Sequence, residues 1–167
     1  MPPPAAFFER LEASAWGAFI HDRAWALTTV ELVHAGAVSL LIGTIMIVDL
    51  RLVGVAAVRR PFTDLARQVL PVTWAAFVTA VAAGALLFVS RASAYAASPA
   101  FWIKMALIVV AGINMAAFEF VTVRGVGKWD LDPVPPAAAR FAGLVSIACW
   151  VLVIFCGRVI GFIGQGD

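Results

Sequence analysis

The apolar positions of this chain fall into four long runs separated by short polar breaks. The first covers about 24–52 and holds only Glu31, His34, Asp49 and Arg51 as ionisable residues. The others cover about 69–90, 101–123 and 137–163. Each exceeds the roughly 20 apolar residues that a helix needs to cross a bilayer, so each predicts a spanning helix. Ahead of them, Phe7, Phe8, Leu11, Ala15, Ala18 and Phe19 recur near helical spacing, with Glu9, Arg10 and Glu12 between. This pattern predicts one short amphipathic helix over about 5–20, lying in the membrane interface.

The breaks are clear. His21-Asp22-Arg23 precedes the first span, and Arg59-Arg60-Pro61 follows it. Arg91 to Ser98 reads as a short linker before Pro99, and Asp132-Pro-Val-Pro-Pro136 separates the last two runs. Pro71 falls in the first turn of the second run, where a missing N–H costs little. The expected fold is all-α: a transmembrane four-helix bundle forming one domain, with an N-terminal interfacial helix. The N-terminus lacks a basic segment followed by an apolar core and a cleavage site, so a cleaved signal peptide is not expected.

Composition agrees. Of 167 residues 63% are hydrophobic and 13% charged, about half the charged fraction of a soluble domain. The net charge of +2 is scattered, and no basic stripe with interleaved aromatics points to nucleic acid. Cys149 and Cys156 are two helical turns apart, about 10 Å, which is too far for a disulfide within one helix. Seven basic residues flank the first and third loops (Arg51, Arg59, Arg60, Arg67, Arg124, Lys128, Arg140), and four lie on the opposite side (Arg10, Arg23, Arg91, Arg158). The excess predicts cytoplasmic first and third loops, and both termini periplasmic, in a bacterial inner membrane. Stripes of small residues, among them Gly36 with Gly43 and Ala76 with Ala80 and Gly84, allow helices to approach closely.

Ionisable residues inside spans are functional candidates. His34 lies about 15 Å below the outer end of its span, with Glu31 one turn shallower on the same face. The topology brings Lys104 and Arg158 to the same outer half. A second group, Asp49, Arg51, Glu119 and Arg124, gathers at the cytoplasmic end, where arginines snorkel and carboxylates pair. His34 has the chemistry of a haem axial ligand, its metal being the haem iron. Met105 or Met115 would supply a second ligand, Gly36 would admit a flat macrocycle, and Lys104 or Arg158 would pair with a propionate. Three other readings stay open. The cations could neutralise Glu31 while His34 bonds a neighbouring helix; copper could use His34 with sulfur ligands; Glu31 and His34 could relay protons.

The string from His34 to Gly54, with Arg60-Pro61, Pro71-Val-Thr-Trp74, Gly84-Ala-Leu-Leu-Phe88 and Pro99-Ala-Phe-Trp-Ile-Lys104-Met105, resembles an uncharacterised bacterial family of small four-span membrane proteins. The arrangement is also distantly similar to HemJ-type protoporphyrinogen oxidases and to CopD-type membrane domains. In the HemJ-type proteins a histidine in an early span and a lysine opening a later one are required, and haem b is bound. The resemblance implies those positions for His34 and Lys104. The tyrosine- and proline-containing segment that follows the histidine there is replaced here by Asp49-Leu50-Arg51. The function expected is a b-type haem protein that handles electrons at the outer face, with a quinone or porphyrin as partner. The alternative is a non-catalytic accessory subunit of a larger complex or homo-oligomer, without a cofactor of its own.

Overall fold

Long apolar stretches free of breakers become long helices. The computed structural model describes residues 4–163, and among them four helices are long and apolar enough to cross a membrane: Ala24–Val53, Phe62–Ser90, Pro99–Lys128 and Ala137–Gly161. The chain is thus an all-α, multi-pass membrane protein. In chain order the α-helices are α1 (Pro4–Glu12), α2 (Ala15–His21), α3 (Ala24–Val53), α4 (Phe62–Ser90), α5 (Ala92–Ala97), α6 (Pro99–Ala117) and α7 (Ala137–Ile163). A π-helical turn (Phe118–Thr122) and a 3-10 segment (Val123–Lys128) extend α6.

Three boundaries differ from the sequence reading, each for a local reason. The N-terminal amphipathic segment is two helices, because the Ser14 hydroxyl accepts from the Gly17 amide at 3.2 Å and caps a new start. The linker before Pro99 contains α5. And α4 begins at Phe62, so Pro71 stands inside it rather than in its first turn. Its early turns are polar on one side only: Phe62, Leu65 and Ala66 are buried while Asp64, Arg67 and Gln68 are exposed.

α3 packs along both α4 and α7, and α7 packs along α6, whereas α4 and α6 barely touch. A mid-membrane core joins Leu41, Ala76, Ala111, Cys149, Trp150 and Val153, and a second cluster gathers Val48, Leu52, Phe62, Trp129 and Ala139 nearer one end. Close approach is made at Gly143, where a Cβ would stand 2.9 Å from the Asp49 carbonyl oxygen. Gly36, Gly43, Gly112 and Gly161 meet nothing within 4 Å and are not packing contacts.

α1, α2 and α5 lie at the upper end. There the Glu12 carboxylate accepts from the Ser93 amide at 2.8 Å, and Phe88 stacks on Phe101 at 5.2 Å. Trp16, Trp25 and Trp102 are exposed, in keeping with an aromatic belt at headgroup depth.

The lower end is built around Arg51, which is fully buried. Its Nε donates to the Arg60 carbonyl at 3.1 Å, and one Nη donates to the carbonyls of Asp130 (2.9 Å) and Asp132 (3.2 Å). Arg51 does not snorkel; it clamps both lower loops. Asp130 in turn caps α4. Its carboxylate accepts from the Thr63 amide at 2.8 Å and the Thr63 hydroxyl at 2.7 Å. α3 stops at Gly54, whose φ of 84° is left-handed and whose added Cβ would meet the Pro133 carbonyl at 3.3 Å.

Two outcomes are expected. Arg51→Ala removes the clamp and strands buried carbonyls, so it should destabilise the detergent-solubilised protein by at least about 3 kcal/mol. Thermal unfolding followed by size exclusion checks this, and an unchanged midpoint would refute it. Burial alone would raise the Asp130 carboxyl, but hydrogen bonds from Thr63 and Phe62 and the nearby Arg51 guanidinium outweigh it and hold the group below the ordinary carboxylate value. A folded value below the unfolded one, about 3.9, stabilises above that pH and is lost as pH falls through the folded value. The stability gap between wild type and Asp130→Asn should therefore close on acidification below about pH 4. A gap that persists in acid would show that the cap does not depend on the charge.

Candidate functional site

α3 turns His34 toward α4. The His34 Nδ1 lies 2.9 Å from the carbonyl oxygen of Ala80, an α4 residue. A carbonyl only accepts, so Nδ1 carries the proton and the neutral ring keeps its lone pair on Nε2. One turn further along α4, Gly84 makes room for the ring. A Cβ there would stand 3.0 Å from Cε1 and 3.3 Å from Nδ1 of His34. The imidazole therefore rests against the α4 backbone, and any side chain at position 84 would push the ring aside by a few tenths of an ångström.

Lys104 enters the same half of the bundle from α6. It is half-buried, with its Nζ 3.7 Å from where a Cβ of Gly157 would stand, and its charge acts on the His34 ring and on Cys156. All four long helices thus contribute to one level: His34, Ala80 with Gly84, Lys104, and Cys156 with Gly157.

The other sequence candidates are not gathered there. Glu31 and Arg158 are exposed, as is Gly36. Helical phase explains two of these: Gly36 is about 200° around α3 from His34, and Arg158 about 200° around α7 from buried Cys156. Met105 is half-buried. Met115 lies eleven residues beyond Lys104, about 16 Å further down α6, and lines a different space. Among the described residues no group of three or more His, Cys, Asp or Glu could hold a metal ion.

That different space is a cleft of about 110 Å³ between α4 and α6, floored by α3 and α7. Trp74, 49% exposed, and Gly112 stand on its two membrane-facing walls. Its lining residues are apolar or aromatic apart from Thr73 and Ser146. The Thr73 hydroxyl donates to the Val69 carbonyl at 3.1 Å, and Ser146 hydrogen-bonds Asp49. The Trp150 Nε1 is buried with no acceptor, as the Asp49 Oδ2 is buried with no donor. The sequence reading passed over Trp150. Its signal was depth: a tryptophan at the middle of a span lies far from the headgroup belts.

Fold and polar interior together define a small four-span membrane protein with a histidine–lysine cluster in one half and an apolar cleft below it. The chain belongs to a family of unknown function, DUF6644, whose model matches residues 7–163. No curated protein and no solved structure matches the chain.

The cradle gives a test. Gly84→Ala gains helix propensity of about 1 kcal/mol, but its methyl presses on the His34 ring, which its bond to the Ala80 carbonyl holds in place. Alone it should destabilise by about 1–2 kcal/mol; in a His34→Ala background it should stabilise by about 1 kcal/mol. Additive effects in a double-mutant cycle would mean that ring and glycine do not touch.

Proposed function

We propose that this chain is a b-type haem protein of a bacterial inner membrane, with both termini periplasmic and His34 as an axial ligand. The observation that carries the reading is the His34 ring, held through Nδ1 by the Ala80 carbonyl on a glycine floor. Metal-ligating histidines commonly donate their other ring N–H to a carbonyl or carboxylate, which fixes the tautomer and raises ligand basicity. The donor chemistry fits: Nε2, the ring nitrogen left without a partner among the described residues, would be the atom that holds the iron. Lys104 fits the second requirement. A half-buried ammonium with no carboxylate against it among the described residues favours an anion there, and a propionate supplies one. The haem, when bound, supplies one-electron redox chemistry. The chain's own residues fix the ring and balance the charge. The electron partner in this reading is lipophilic, a quinone or a porphyrin.

The accessory-subunit reading has one observation in its favour. Ala111 is the only residue of α6 that is buried, so most of that helix is available to lipid or to another protein.

Absorption spectra of the detergent-purified protein, oxidised and dithionite-reduced, decide between them. The haem reading expects a Soret band in the wild type that is lost or shifted in His34→Ala, while that variant still inserts in the membrane. A featureless wild-type spectrum after haem supplementation during expression would overturn it and favour the accessory subunit.

A further inference from the structure

We propose that the groove between the lower extension of α6 and the start of α7 holds one phospholipid with a zwitterionic, primary-amine headgroup, phosphatidylethanolamine, its phosphate on Lys128 and its ammonium on Asp132. The groove shares no residue with the His34 cluster and stands whether or not haem is bound.

Four observations lead there. The first is space. The π-helical turn and 3-10 segment on one side, and the loop into α7 on the other, bound a groove of about 480 Å³, within the range of ligand clefts. The second is a gradient of polarity along it. Val121, which lines the groove, belongs to the apolar part of its span, and Lys128 ends that span seven residues, or about 10 Å, further down. The occupant is therefore apolar at one end and polar at the other, and sits where hydrocarbon gives way to water. The third is uncovered apolar surface. Val121 is 73% exposed, and Val134, in the loop outside the four spans, is 68% exposed. An acyl chain and its glycerol would cover both. The fourth is charge. Lys128 and Asp132 both line the groove and are both exposed, and among the described residues neither side chain has an ion pair or hydrogen bond, with the other or with any third group.

A cation and an anion that share one groove without meeting suit a ligand that carries both charges. A phosphate meets Lys128 and an ammonium meets Asp132 in charge-assisted hydrogen bonds. A purely anionic headgroup such as phosphatidylglycerol would be repelled by Asp132. The quaternary amine of phosphatidylcholine has no N–H to donate to the carboxylate.

The test uses the full chain, purified in detergent, stripped of lipid and offered an equimolar mixture of phosphatidylethanolamine, phosphatidylcholine and phosphatidylglycerol with identical acyl chains. Native mass spectrometry reads which lipid is retained first. Phosphatidylethanolamine should be retained about threefold over either competitor, the scale of one exposed ion pair. Both side chains are exposed, and Asp132 meets Arg51 through its main chain, so Lys128→Gln and Asp132→Asn leave the loop clamp intact. Lys128→Gln should weaken retention of all three lipids about threefold. Asp132→Asn should lose the preference over phosphatidylcholine and gain affinity for phosphatidylglycerol. Arg59→Gln removes a charge from the same end but not from the groove, and should behave as wild type does. So should His34→Ala, which separates failure here from failure of the haem reading. Equal retention of the three lipids, a wild-type preference for phosphatidylglycerol, an unchanged preference in Asp132→Asn, or equal losses in Arg59→Gln and Lys128→Gln would each overturn the proposal.

Discussion

A guanidinium with no exposed surface holds the lower end of this bundle together. Burying such a charge is costly unless its donors are paired, and Arg51 offsets much of that cost through Nε and one Nη, bonded to main-chain carbonyls from two loops far apart in sequence, while its other Nη is buried without a partner among the described residues. The consequence is geometric. The end of α3, the start of α4 and the loop before α7 are fixed to one point, with Asp130 and Trp129 completing the junction against Thr63 and Phe62. With α3 clamped between α4 and α7, α6 packs chiefly on α7, and the space between α4 and α6 follows from that arrangement.

The interior polar groups are then distributed by depth. His34 and Lys104 occupy the upper half. The cleft residues begin at Leu41, seven residues or about 10 Å further along α3. Lower still, Asp49 is buried against Ser146. Two side chains keep hydrogen-bonding capacity that the fold does not exhaust: the Nε2 lone pair of His34 above, and the indole N–H of Trp150 below. In lipid, water does not fill such gaps freely, so unspent capacity is a stronger statement than it would be on a soluble protein.

The spans were legible because lipid demands unbroken apolar runs, and nothing in the apolar runs from Ala24, Phe101 and Ala137 competes with that demand. The start of α4 was not, since Phe62, Leu65 and Ala66 alternate with Asp64, Arg67 and Gln68 at helical rather than spanning period. The His34–Lys104 pairing was legible from depth alone. Depth says nothing of rotation, and so Gly36 and Arg158 were grouped with residues whose helix faces they do not share, while Glu31, on the His34 face, is exposed a turn above it. Arg51 read as a snorkelling residue because its partners are carbonyls of Asp130 and Asp132, and main-chain acceptors about eighty residues away leave no mark in composition.

Pro71 stands between Leu70 and Thr73, both of which line the cleft. Having no N–H, it leaves the Arg67 carbonyl without its helical donor, and a helix with a missing rung bends there most easily. The compliance of α4 is thereby concentrated at the depth of the membrane-facing opening, while the aromatic contacts above and below hold α4 and α6 together. The wall of the cleft behaves as a leaf spring pinned at both ends, able to bow outward at its middle without the bundle coming apart.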